Sequence, residues 1–453
     1  MRWFLLLLTI CGITACTAKT TQSVTLTPET PAVSSSPAPI GATSSSALSG
    51  SAPSSSPASS NPDLNGATPI AAVSSGKLAR TSSVTVPTTV PTPAPIVAVA
   101  QPTCAALPQP IKLIAAPKPA TVISGRVGLF VGRLTRGSKD FRFDRATWLL
   151  PDGQFPLASN FKTSVLYELM RAVDAGSVKL SEKFKVTSAN QSYGRYPFDN
   201  SDVMTLAHAM IAWSDNTATD ILYRRIGLSA LHPLALELSL CNTRLLLPTK
   251  AWWAAQAGFG GPDFPKYALV SATRKFALAP FETQLRIANR LDAAAQNVSA
   301  ERLRKALDFG YFAGRNGGVE SMSQIDRQIQ NVSTPHEWAR VLNHAFVNPE
   351  LSLKTAAMFR QVMSHGKGRS YIRVPFKYFG GKSGNTARVL TYSGYIETLS
   401  GDRVIYVYMN DSSRNLVTRD ETPQAFKLIN DALRLVMRPE DLTRPKAVVT
   451  RKP

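Results

Sequence analysis

Val127, Leu129 and Val131 alternate with Gly128, Phe130 and Gly132, which is the period-two pattern of a strand. The run from Phe141 to Leu150 supplies a second strand. From about Phe161 to Leu351 the chain instead reads mostly as helices joined by loops, and one helix carries Val165, Leu169, Met170 and Val173 on a single side. Strand character returns at Tyr378–Gly384, Val389–Leu399 and Val404–Met409, with Ser400, Gly401 and Asp402 between the last two. A closing helix starts at Pro423 and aligns Phe426, Ile429, Leu433 and Val436 along one face. β-rich runs at both ends of a helical middle predict an α+β fold: an antiparallel sheet formed by N- and C-terminal strands, packed with a mostly helical middle domain.

Upstream of these elements the pattern changes character. Arg2 precedes an apolar run from Trp3 to Ile13, and Thr14 and Ala15 set small residues before Cys16. The run is too short to cross about 30 Å of hydrocarbon as a mature helix. It resembles a bacterial lipoprotein signal, which implies cleavage of residues 1–15, a membrane anchor through lipidated Cys16, and a cell-envelope location facing the periplasm or the cell exterior. Residues 16–104 then read as a disordered tether. Positions 31–60 hold 25 Ser, Thr, Pro or Ala among 30 residues and no charge, too little apolar surface to offset the entropy of ordering. Such a coil reaches about 50 Å. The body is assigned to residues 105–437 and a disordered basic tail to residues 438–453.

The 453 residues carry a formal charge of +21, and leaving out residues 1–105 keeps 47 basic and 28 acidic residues, so +19 of it belongs to the body. A field of that sign suits an acidic cell-envelope surface, and export argues against nucleic acid as a partner. The four cysteines form no CxxC pair, so neither zinc nor dithiol chemistry is indicated. Cys104 and Cys241 are the mature cysteines that share the chain with Cys16, and an oxidising compartment allows them to pair. The five histidines show no metal spacing, and no metal or other cofactor is called for. G-x-S-x-G and H-E-x-x-H are both missing, which leaves a triad hydrolase or a zincin without footing.

Three short motifs carry chemistry. Ser159-Asn160-Phe161-Lys162 is an S-x-x-K at a helix start, where positions three apart face the same way and the Ser159 hydroxyl can meet the Lys162 amine. The spacing alone is weak, because Ser74/Lys77 and Ser364/Lys367 share it. Ser214-Asp215-Asn216 lies between a helical run ending near Ala212 and another beginning at Thr217. Lys382-Ser383-Gly384, on the first strand of the C-terminal group, is the sole K-[ST]-G in the sequence. Their order and context, with Trp213, Thr217 and Ala218 around the second motif and Ser333-Thr334-Pro335 before the third, resemble the class A-like serine β-lactamase and penicillin-binding-protein superfamily from about Ser124 to Met437.

A serine hydroxyl needs a base to attack at neutral pH, and a lysine can be that base only when desolvation or a second cation, here Lys382, destabilises its ammonium. The resemblance implies Ser159 as nucleophile, Lys162 as its activator, Ser214 as proton relay to the leaving nitrogen, and Asn216 as partner of the substrate's side-chain amide. It further implies that Lys382 and Ser383, next to Gly384, bind the substrate carboxylate, and that the N–H groups of Ser159 and Asn385 stabilise the oxyanion. The expected activity is hydrolysis of β-lactam amide bonds through a Ser159 acyl-enzyme. Hydrolysing that intermediate takes a further base, and here the sequence departs from the family. No E-x-x-x-N pattern follows Leu247-Pro248, and residues 250–316 read as an insertion containing Trp252, Trp253, Phe259, Phe264 and Tyr267. Glu320 is the nearest candidate base. Without a working base the chain would be a penicillin-binding D-Ala-D-Ala carboxypeptidase-type enzyme acting on peptidoglycan peptides. A non-catalytic cell-wall binding protein is a third reading, against which the intact Ser159, Lys162, Ser214, Asn216 and Lys382 argue.

Overall fold

The computed structural model describes residues 104–194, 196–313, 318–414 and 421–443. The chain divides into two units, residues 1–93 and 94–453, and the first, with the signal, Cys16 and most of the tether, lies outside the described residues.

In the second unit six strands form one sheet: β1 (Lys112–Leu113), β2 (Arg126–Leu134), β3 (Phe143–Leu149), β4 (Tyr378–Asn385), β5 (Leu390–Glu397) and β6 (Arg403–Asp411), in the order β1-β3-β2-β6-β5-β4. N-terminal β2 pairs antiparallel with C-terminal β6, placing Val131 opposite Tyr406, so the chain ends do share one sheet. β1 alone runs parallel to its neighbour. The period-two pattern sorts side chains between two apolar layers: Leu129, Val131, Val404 and Tyr406 face one, while Phe130, Ile405, Val407 and Met409 face the other.

Ten helices of eight residues or more accompany the sheet among the described residues: α1 (Lys162–Asp174), α2 (Val203–Ala212), α3 (Asn216–Ile226), α4 (Thr249–Gln256), α5 (Leu269–Leu278), α6 (Phe281–Gln296), α7 (Gly318–Ile329), α8 (Pro335–Val347), α9 (Leu353–Ser364) and α10 (Thr422–Val436). α10 closes one face of the sheet with Phe426, Ile429, Leu433 and Val436, the stripe that the sequence aligns. α8 lies on the opposite face, its start fixed by Thr334, whose hydroxyl accepts from Glu337 N at 3.0 Å, and by Pro335 in the first turn. α1 differs from the one-sided helix that its apolar positions predict. Lys162 through Met170 are all buried, because α2, α3 and α9 pack around it.

Two sequence-based boundaries change. Residues 438–443 belong to the folded body rather than to a disordered tail: Arg438 Nε donates to buried Asp402 at 2.7 Å, and Asp441 accepts from Ser400 N at 2.9 Å. Residues 444–453 lie outside the described residues. Cys104, assigned to the tether, is bonded to Cys241 and so belongs to the body. Within 250–316, Trp252 and Phe264 are core residues at 1% exposure while Tyr267 is 93% exposed. No helix among the described residues is long and apolar enough to cross a membrane.

Candidate active site

Ser159 sits in a single 3-10 turn, Ala158–Phe161, that runs directly into α1. The turn begins with Ala158 at a φ of +45°, a left-handed conformation that a residue with a side chain adopts only when its surroundings hold it there. β4 passes close beside it. A Cβ on Gly384 would lie 2.5 Å from Ser159 N, so the third residue of Lys382-Ser383-Gly384 is a glycine because strand and turn must touch.

Lys162 projects from the first turn of α1 into the junction between α2 and α3. Its Nζ donates to Ser214 O at 2.7 Å and Asn216 Oδ1 at 2.7 Å, and stands 3.4 Å from Ser214 Oγ. The Ser159 hydroxyl is not among its acceptors, so the meeting that the S-x-x-K spacing predicts is not made. Lys382 reaches the same point from β4, donating to Ser214 Oγ at 2.9 Å and to Ser383 O at 2.6 Å. Ser214 holds a φ of +58°, which turns the chain between the two helices. Asp215, the middle residue of its motif, is structural: its carboxylate caps α3 by accepting from Ala218 N at 2.8 Å. Asp220, also buried, accepts from Thr249 N and Lys250 N at 2.6 and 2.7 Å and so fixes α4 against α3.

Both lysines are buried, and burial is the main reason that both are poor cations. It pushes Lys162 down to about 7, with Asp220 and Asp215 opposing and Lys367 adding a like charge. Lys382 is pushed well below the ordinary ammonium range by burial and then by Lys162 and Lys367. The expectation of a second cation beside Lys162 is therefore met in a different form, since the outside charge pressing on it comes from Lys367.

Ser159, Ser214, Asn216 and Asn385 line one cleft of about 620 Å³. Tyr193, Trp213, Trp253 and Phe312 form its aromatic side, with Trp213 64% exposed. Asn216 is already engaged at both ends, its Nδ2 donating to Tyr193 O at 2.6 Å and its Oδ1 accepting from Lys162. One hydrogen and one lone pair remain for a substrate amide. Ser383 opens with Gly384 and Asn385 onto a neighbouring cavity.

Glu320 is not brought to this site. It lies on the first turn of α7, whose Met322, Ile325 and Ile329 turn inward, which sends Glu320 to solvent with 76% of its side chain exposed beside Arg327. Among the described residues lining the cleft the one carboxylate is Asp308, held by Arg304 at 3.3 Å on a π-helical turn, Leu307–Phe312. Sequence reasoning missed Tyr193, Asp308 and Lys367. Lys367 carried a signal, as the end of the S-x-x-K from Ser364, but that spacing recurs along the chain.

No curated protein matches the chain. Among solved structures, PBP-A is 17% identical over 68% of this chain and 90% of its own, with a TM-score of 0.45. A class A β-lactamase from Mycobacterium abscessus is 13% identical over 69% and 94%, with a TM-score of 0.46. A β-lactamase from Sphaerobacter thermophilus is 16% identical over 72% and 95%, also at 0.46. The signature of the Beta-lactamase enzyme family matches residues 123–438, the whole of the sheet and helices around Ser159 apart from the two-residue β1, and the chain belongs to that family.

Proposed function

We propose that this protein is a serine hydrolase of the class A β-lactamase type, exported and lipid-anchored, that opens β-lactam amide bonds through a Ser159 acyl-enzyme. The observation that carries the proposal is the pair of buried lysines on one hydroxyl, Lys162 and Lys382 at 3.4 and 2.9 Å from Ser214 Oγ. Two ammonium groups so close and so desolvated are not both retained near neutral pH, which leaves a neutral amine to act as base. Neutral Lys162 takes the Ser159 proton as Oγ attacks the amide carbon. The N–H groups of Ser159 and Asn385 stabilise the oxyanion. Ser214 gives its proton to the leaving nitrogen as the C–N bond breaks, and recovers one from the lysine beside it.

A second reading is favoured by the position of Glu320, exposed on α7 and outside the cleft. With no glutamate among the described residues that line the cleft, water attacks slowly, and the chain behaves as a penicillin-binding enzyme of the D-Ala-D-Ala carboxypeptidase type. Spectrophotometric consumption of a penicillin separates the two. Many turnovers per enzyme support the β-lactamase, whereas one equivalent consumed and no more supports the penicillin-binding enzyme. The apolar run before Cys16 and the bond between Cys104 and Cys241 both support export.

A further inference from the structure

His208 and His365 carry no metal spacing in the sequence, because the fold alone brings them together. His208 is half-buried on α2, and His365 is exposed at the residue that ends α9. Their rings stand edge to face, with centroids 5.2 Å apart and an interplanar angle of 70°. Among the described residues no hydrogen bond and no ion pair engages either imidazole. That sets the pair apart from Glu237, His344 and Glu350, whose ligating atoms lie within 4.8 Å of one another. There Tyr167 Oη meets His344 Nε2 at 2.7 Å, and Arg171 holds Glu237 at 3.1 Å and Glu350 at 3.7 Å, so all three side chains already have partners.

Edge-to-face rings attract one another without any ion. The spacing is also the one that a metal imposes: with Zn–N bonds of about 2.0–2.1 Å and a tetrahedral angle, two imidazoles on one ion have ring centres about 5 Å apart. Neither ring has to give up a partner to bind. We propose that His208 and His365 form a binding site for a divalent transition-metal ion such as Zn²⁺, with both imidazoles as ligands and the remaining positions filled from solvent. Imidazole is a side chain that such ions favour. His365 lines a cavity of about 980 Å³ that shares Lys367 and Asn385 with the Ser159 cleft, which gives the ion a way in. With only two protein ligands the ion is exchangeable rather than a requirement for folding. An ion there ties α2, which leads into the junction at Ser214, to the loop that follows α9. That loop is itself held against β4, since Gly366, next to His365, lies so close to Gly381 O that a Cβ would have no room. The inference uses no step of the acyl-enzyme reading and stands or falls apart from it.

The test is a calorimetric titration of the full-length chain with Zn²⁺. The expected result is one equivalent whose affinity falls at least about tenfold in His208→Ala and in His365→Ala, as loss of a ligand requires, and which Glu350→Gln leaves unchanged. Because His365 is exposed, His365→Ala keeps the test decisive should His208→Ala fail to fold. Zn²⁺ is also expected to raise the Tm of the unaltered protein by mass action and to leave that of His365→Ala where it was. Protection of both histidines from diethyl pyrocarbonate by Zn²⁺, read by peptide mass, places the ion independently of stability. The absence of saturable binding, or an equivalent that His365→Ala retains in full, overturns the site. Binding lost in Glu350→Gln and kept in His365→Ala assigns the ion to the cluster of Glu237, His344 and Glu350 and overturns it equally.

Discussion

At the scale of single residues, the proposed acylation depends on the charge state of two amines. Lys162 is pushed down to about 7 by burial, so it is mostly protonated below that pH and mostly neutral above it. Acylation by a penicillin is therefore expected to rise with pH through about 7 and then level off, and Lys162→Met should slow it by about 10²- to 10⁴-fold while removing that limb. Stopped-flow acylation rates from pH 5 to 9 check both, and a flat profile would contradict the assignment of Lys162 as base. Glu320→Gln is expected to alter deacylation by less than about twofold, as for other solvated surface residues. Single-turnover decay of the adduct decides this. The meeting of Lys162, Ser214 and Lys382 was legible in the sequence through the resemblance that the order of their motifs carries. The orientation of Glu320 was not, since only the packing of Met322, Ile325 and Ile329 decides which way α7 faces. The engagement of Asn216 at both ends of its amide was equally hidden, because Tyr193 and Lys162 reach it from distant segments.

At the scale of elements, the site is a contact between three of them: the Ser159 turn before α1, the α2–α3 junction and β4. Gly384 is where two of these touch, and Gly384→Ala puts a methyl 2.5 Å from Ser159 N. The substitution is expected to cost about 1–3 kcal/mol of stability, as overpacking does, and to slow acylation by moving the turn away from the Asn385 backbone. Thermal unfolding together with acylation rates checks it, and a fully active variant of unchanged stability would show that the strand and turn need not meet. The strands were readable within a residue or two, because alternation survives even in β2 and β6, whose two faces are both covered. α1 was misread as one-sided. Its Thr163, Ser164 and Glu168 look like a polar face in one dimension, yet they are enclosed by neighbouring helices that the local pattern does not reveal. β1 was missed altogether, being two residues long and set by pairing with β3 rather than by its own pattern.

At the scale of the whole molecule, the body is bound into one unit by long-range ties that join its ends. Buried Asp402 accepts from Arg136 and Arg438 at 2.7 Å each, and Cys104 is bonded to Cys241 across 137 residues. The Asp402 pairs could not be read from spacing, since each links segments remote in sequence, whereas the Cys104–Cys241 bond is the one the sequence allowed, these being the mature cysteines besides Cys16. The anchoring proposal belongs at this scale too. Cys16→Ser is expected to move the protein from the membrane fraction to the soluble fraction, because the apolar run alone is too short to hold it. Undiminished membrane retention on fractionation would refute a lipid anchor at that position. The proposed function rests on one covalent event, and the most direct measurement of it is the intact mass of the full chain after mixing with penicillin G, alongside Ser159→Ala. The prediction is an adduct of one penicillin mass that maps to Ser159 and never forms on the variant. An unmodified protein, or an adduct that persists in Ser159→Ala, would contradict Ser159 as the nucleophile.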